Sequence, residues 1–107
     1  MTTFDDREKS AEKKFVLDEE AMFKAHARRD KLFGLWAAGR MGLTGAEAET
    51  YANGIVTEDI AHPGDKAVIA KALANFKAKG VSATEAEAAA KLGECMETAK
   101  QQIAAGR

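Results

Sequence analysis

Apolar positions along most of the chain recur at helical spacing, and four such stretches are separated by turn residues. Met22, Ala25, Leu32, Phe33 and Trp36, with the aliphatic stem of Arg29 filling the same face, follow on from Phe15. They predict a helix from about Asp18 to Arg40, ended by Gly42 and Gly45. Thr44 followed by Glu47 fits a capping box opening a second helix, with Ala48, Tyr51, Ala52, Ile55, Val56 and Ile60 on its apolar face and a stop near His62. Pro63 and Gly64 break the chain, and Asp65 is the expected N-cap of a third helix whose inward residues are Val68, Ile69, Ala72, Leu73 and Phe76, closing at Gly80. Ser82 with Glu85, or Thr84 with Glu87, caps a fourth, where Ala89, Leu92, Met96, Ala99 and Ile103 form an amphipathic stripe. Connections of a few residues favour antiparallel neighbours, so the expected fold class is all-α, a four-helix bundle.

The first residues break this pattern. Residues 1–31 hold eight acidic and eight basic side chains, more than half of the stretch, with no net charge. Before Phe15 the apolar residues are too sparse for core packing. A helix there would rest on propensity and on pairs such as Asp5 with Lys9, each about 0.2–0.5 kcal/mol; Glu20 with Lys24 is a similar pair further on. The expected organisation is a mobile charged segment over 1–18 and a four-helix domain over 19–107. Such a segment reads either as a frayed, solvated terminus or as a helix that forms on a partner, with Phe4 and Phe15 entering apolar pockets and the flanking charges forming salt bridges.

Composition limits what the bundle can be. Of 107 residues, 49 are hydrophobic, but 23 of these are Ala and one is Cys, leaving 25 large apolar side chains. That suffices for one small domain with a thin core and excludes a two-domain enzyme. Only four Val and four Ile are present, which starves any sheet of β-branched residues. Sixteen basic against 17 acidic residues give a net charge of -1, which argues against nucleic acid as a partner. The one cysteine, Cys95, has no disulfide partner. No apolar run approaches the roughly 20 residues that cross a bilayer, and a charged N-terminus is unlike a signal peptide, so the expected location is cytoplasmic, without direct membrane insertion.

Candidate chemistry is sparse. His26 and His62 fall on different helices, and no His-x-x-x-His or Glu-x-x-His spacing occurs, so no metal site is expected. His62 reads as a cation at a helix C-terminus, and His26 as a partly buried or surface residue. Cys95 lies mid-helix, far from any N-terminal dipole that would activate a thiolate, and reads as a small core residue. Gly34, Gly39, Gly42 and Gly45 lack the spacing of a phosphate loop and read as a close-packing position and a helix stop. The carboxylates of the leading segment have no pocket to separate their pKa values. No catalytic residues and no cofactor are expected, and the chain reads as a non-enzyme.

The opening Met-Thr-Thr-Phe-Asp-Asp-Arg-Glu-Lys, then Lys14-Phe15, Leu17-Asp18-Glu19-Glu20, Phe23-Lys24-Ala25, Ala27-Arg28-Arg29 and Lys31-Leu32 with Gly34-Leu35-Trp36-Ala37-Ala38, resemble the zeta subunit of alphaproteobacterial F-type ATP synthases. The likeness is close over residues 1–60 and thinner beyond, where Asp59–Asp65 looks like the family's linker, Gly80-Val81 like its last turn, and the final helices are richer in Ala. The resemblance implies a four-helix bundle whose mobile N-terminal segment inserts as a helix at a catalytic interface between the α and β subunits and blocks ATP hydrolysis. It places the protein in the cytoplasm, peripheral to the membrane-bound synthase. By position the inhibitory segment runs from about Thr2 to Glu19, with Phe4, Asp5, Asp6, Arg7, Lys9, Lys14 and Phe15 as its partner-binding residues. The alternative reading is a small helical module that binds a nucleotide or another metabolite.

Overall fold

The computed structural model describes residues 17–107, of which four helices make up nearly all: α1 (Glu19–Arg40), α2 (Gly45–Ala61), α3 (Asp65–Ala78) and α4 (Glu85–Ala104). No strand occurs among the described residues. The all-α expectation holds, and each helix end has a local cause.

Helix α1 begins where the Asp18 carboxylate accepts the Ala21 N–H at 2.7 Å from an extended N-cap backbone, with Glu19 and Glu20 complementing the dipole in the first turn. Leu17 and Met22 occupy the N′ and N4 positions of a hydrophobic staple, and both are half-buried. At the other end Gly42 takes a left-handed φ of 80°, which lets the Leu43 N–H reach the Ala38 carbonyl at 2.9 Å. Helix α4 opens with the second of the two expected boxes. Thr84 Oγ1 accepts the Glu87 N–H, and the Glu87 carboxylate accepts the Thr84 N–H, both at 3.0 Å.

Two expected caps are corrected. Thr44 precedes α2 but makes no side-chain cap hydrogen bond. The first residue of that helix, Gly45, sits at a left-handed φ of 57°. Gly45 thus opens α2 rather than ending α1. Asp65 is not the N-cap of α3; Gly64 is, at a φ of 127°, and Asp65 is the first helical residue, its carboxylate drawn to Arg29 instead.

The pairings set an up-down-up-down bundle. Lys31 meets Glu49 at 2.9 Å, and further toward the N-terminus of α1, Arg29 meets Asp59, so α2 returns antiparallel along α1. Tyr51 donates to Asn75 at 2.8 Å, which brings α3 back along α2. Arg28 reaches Gln102 at 3.2 Å, and Arg40 reaches the Ser82 carbonyl at 3.0 Å, so α4 runs antiparallel to α1. Helix α1 touches all three others, whereas α2 and α4 do not touch.

Phe33 and Ala37 of α1, Ile55 of α2, Val68, Ile69, Ala72 and Phe76 of α3, and Ala88, Leu92 and Cys95 of α4 form the core. Trp36 covers it, its ring 5.4 Å from Phe33 and 5.7 Å edge-on from Phe76, with Arg40 and Lys91 over its faces. Gly34 lets α1 approach α2 closely, since a Cβ there would stand 2.6 Å from the Ala52 Cα. The small residues expected to thin the core therefore draw the helices together.

Two inward faces differ from expectation. On α4 the buried seam is Ala88, Leu92, Cys95 and Ala99; Ala89 is exposed, and Met96 and Ile103 are half-buried. The run Ala88-Ala89-Ala90 offers three equal small residues, so size alone did not select the inward one. On α2, Ile60 is 71% exposed, and its neighbour Asp59 is buried. The expected Glu20–Lys24 pair is not among the ion pairs of the described residues.

Candidate functional site

The segment residues singled out from the sequence, Phe4, Asp5, Asp6, Arg7, Lys9, Lys14 and Phe15, lie outside the described residues. What the described residues build is a cluster of buried charge at the end of the bundle nearest the start of α1, and a groove beside it.

Arg29 is the centre of the cluster. Its side chain, expected to contribute an aliphatic stem, is buried together with its guanidinium. Nε and Nη2 donate to Asp30 Oδ1 at 3.1 and 2.8 Å, Nη1 donates to Asp65 at 2.8 Å, and Nη2 stands 3.0 Å from His26 Nε2 and 3.5 Å from Asp59 Oδ2. One cation thereby ties α1 to the end of α2 and the start of α3. Asp59 closes the turn between them by accepting the Gly64 N–H at 3.3 Å. A buried pair left half-made would be costly, and none of the buried side-chain polar atoms of the described residues lacks a partner.

The two buried carboxyls titrate in opposite directions. Burial, with a hydrogen bond to Asp59, pushes Asp30 up to about 7 against the pull of Arg29. Burial also opposes ionisation of Asp59, but its hydrogen bonds from Asp30 and the Gly64 N–H and the charges of His26 and Arg29 outweigh that and hold it below its ordinary value. These opposite shifts favour one shared proton, on Asp30 rather than on Asp59. Arg29 is raised despite burial, by its bonds to Asp30 and Asp65.

His26, Asp30 and Asp59 place ligand-type atoms within 4.8 Å of one another, a cluster the sequence reading did not find. The one sequence signal is His26-x-x-x-Asp30 on a single helix face; Asp59 arrives from another helix. The trio is a poor metal site as built. The Arg29 guanidinium already supplies the cation that both carboxyls pair with. Nor is there an activated nucleophile at Cys95, which is buried in the core with its thiol pushed up by burial. Tyr51 is likewise pushed up to about 12 by burial.

The groove runs between the first turns of α1 and the last turn of α2. It measures about 350 Å³ and is lined by Met22, Phe23, Ala27, Val56 and Ile60, with Glu19, His26, Asp30 and Asp59 as its polar groups. Phe23, at 68%, and Ile60 are the exposed large hydrophobics of the described residues.

Fold and site together define a small helical bundle, braced by one buried ionic cluster, whose exposed apolar surface adjoins the start of its first helix. The chain belongs to the family described as ATPase inhibitor subunit zeta, whose pattern matches residues 1–102. The match extends well past residue 60, where the resemblance read from the sequence had thinned. A solved chain described as a solution NMR structure is 40% identical, with a TM-score of 0.69, over 79% of this chain and 96% of its own. No curated protein matches. The family is one of regulatory inhibitors of the ATP synthase, consistent with a chain that is not itself an enzyme. No helix among the described residues is long and apolar enough to cross a membrane.

Proposed function

We propose that this chain inhibits ATP hydrolysis by inserting residues from about Thr2 to Glu19, as a helix, at a catalytic interface between the α and β subunits of the synthase. Phe4 and Phe15 are the apolar anchors, and Asp5, Asp6, Arg7, Lys9 and Lys14 supply the ion pairs. The observation that carries the reading is that the inhibitor-family match begins at residue 1 and so includes the charged segment with the bundle. A rotary enzyme must change its catalytic interface at every step. A helix bound to one arrangement of that interface stabilises it against the others, and inhibition follows from differential binding without chemistry.

The Asp18 N-cap divides the work. Its carboxylate takes the Ala21 N–H and its carbonyl the Met22 N–H, which gives α1 a start of its own at Glu19, and on this reading the bundle folds without the segment. The segment then brings an ordering cost of several kcal/mol to binding, which its anchors must offset. Association at the cytoplasmic, peripheral face of the membrane-bound synthase follows from the same reading. A nucleotide fits the groove less well, because Glu19, Asp30 and Asp59 line it and no Lys or Arg does.

The test is the hydrolysis rate of the cognate soluble ATPase with the wild-type chain and with a Phe4→Ala/Phe15→Ala variant. The double variant should require at least about tenfold more protein for half-inhibition. Equal potency would remove the segment from the mechanism.

A further inference from the structure

The connection from α2 to α3 has no buried apolar side chain of its own. Residues 60–66 are all exposed, and the next buried side chain after Asp59 is Val68. Besides backbone bonds local to the two helix ends, its hydrogen bonds among the described residues are polar ties to one cluster. Gly64 donates to Asp59 Oδ1 at 3.3 Å, and Asp65 accepts from Arg29 at 2.8 Å. A segment with few buried apolar contacts and a small number of polar ties is where a folded chain opens locally at least cost.

The cluster that holds this connection is short of positive charge. Asp30 of α1, Asp59 of α2 and Asp65 of α3 all converge on the one Arg29 guanidinium. His26 faces Asp59 at 3.0 Å and adds a second positive charge only when protonated. Glu19 of α1 lines the groove beside Asp30 and Asp59, and Glu97 of α4 lines the cleft beside Arg29 and Asp65, so the surroundings are acidic as well. Asp30 and Asp59 are both buried, with oxygens within 4.8 Å of each other, where water screens their repulsion poorly. A proton on Asp30 removes that repulsion, in line with the upward push on Asp30 and the downward pull on Asp59. The closed arrangement therefore holds the proton more tightly than an open one in which Asp30 regains water.

We propose that the cluster is a proton-operated latch: the proton on Asp30 keeps the 60–66 connection and the first turn of α3 closed on α1, and its release to solvent lets this end of the bundle open while the rest stays folded. Below the ordinary carboxylate range Asp30 is protonated open or closed, and opening does not depend on its proton. From there up to about pH 7 opening releases the proton, so the open fraction rises by as much as about tenfold per pH unit. Above about pH 7 the closed form has lost the proton too, and the open fraction levels off. Asp59, held below its ordinary value, acts at the acid end, where the closed form loses its contribution as pH falls. The latch is tightest just above the ordinary carboxylate range and loosens toward neutrality.

Amide hydrogen exchange of the full chain, followed by NMR between about pH 5 and about pH 6.5 and corrected for the intrinsic rate, tests the latch. Protection at Gly64 and Ala67 should fall at least about tenfold over that range, while remaining well below the protection of Leu92 in the core of α4. In Asp30→Asn the same two amides should stay within about twofold. A flat profile at Gly64 and Ala67 in the wild type would overturn the latch; a fall at Leu92 alone would mean that the proton leaves only on global unfolding. A fall that persists in Asp30→Asn would put the proton on another group and overturn it too. A second measurement needs no variant. The side-chain carboxyl carbon of Asp30 should titrate near pH 7 and that of Asp59 in acid, and the reverse order would overturn the assignment of the proton.

Discussion

Asp30→Asn should make the bundle more stable at neutral pH while leaving it almost unchanged in acid. In the wild type Asp30 holds its proton up to about pH 7, against an ordinary value of 3.8, because it is 1% exposed and hydrogen-bonded to Asp59. Below the ordinary value folded and unfolded states are both protonated, and Asp30 has no effect on stability. Above it the unfolded chain releases a proton that the folded chain keeps, so stability falls as pH rises, by at most about 1.4 kcal/mol per unit. Asn copies the protonated acid: its carbonyl oxygen can accept the two Arg29 N–H bonds that Oδ1 now takes, and its amide can donate to Asp59. The depressed Asp59 contributes stability that is lost only as pH falls below the ordinary carboxylate range, in both proteins alike, so the comparison cancels most of it. Between about pH 4.5 and 6.5 the advantage of Asp30→Asn should therefore grow by about 2 kcal/mol, somewhat under the ceiling set by the titration. Urea unfolding at several pH values measures it, since a domain of this size unfolds in one cooperative step. A constant difference across pH, or a variant about 2 kcal/mol less stable throughout, would show that Asp30 is ionised and paired with Arg29, and the shared proton would be wrong.

The other predictions concern packing and helix ends. Gly34→Ala forces α1 and α2 apart, because its Cβ meets Ala52 backbone at 2.6 Å, and should cost about 1–3 kcal/mol in a thermal melt; Gly54→Ala, which meets nothing within 4 Å, should instead gain up to about 1 kcal/mol. Thr84→Ala breaks a capping box and should lose about 1 kcal/mol, whereas Thr44→Ala, with no cap bond to lose, should stay within about 0.5 kcal/mol of wild type by chemical denaturation. Asp18→Ala removes the 2.7 Å cap bond, so the melting temperature should fall slightly while half-inhibition of the ATPase is reached at lower concentration, because the helix stop that insertion must undo is weaker; unchanged or poorer inhibition would show that the cap is not a barrier to insertion.

What could be read from the sequence was whatever is local. The helix ends are written in Pro63, the left-handed glycines at 42, 64 and 80, and the Thr84–Glu87 pair, and the inward face of α3 follows from spacing alone. The ionic cluster was not legible, because Arg29, Asp59 and Asp65 meet only when three helices converge, and 30 or more residues separate Arg29 from its distant partners. The same convergence explains the misreadings around it. Asp65 is taken from its expected cap by Arg29, and Asp59 turns inward to serve Gly64 and His26, which leaves Ile60 outside. The groove was hidden for that reason: its rim is the residue that periodicity assigned to the core.

On the proposed mechanism a bundle that folds by itself and a leading segment that inhibits divide the labour. Titrating the cognate soluble ATPase with the full chain and with a chain beginning at Glu19, and reading the initial rate of ATP hydrolysis, separates the two parts. The full chain should suppress hydrolysis, and the shortened chain, still helical by circular dichroism, should leave the rate unchanged at the same concentrations. Equal inhibition by the two would contradict that mechanism.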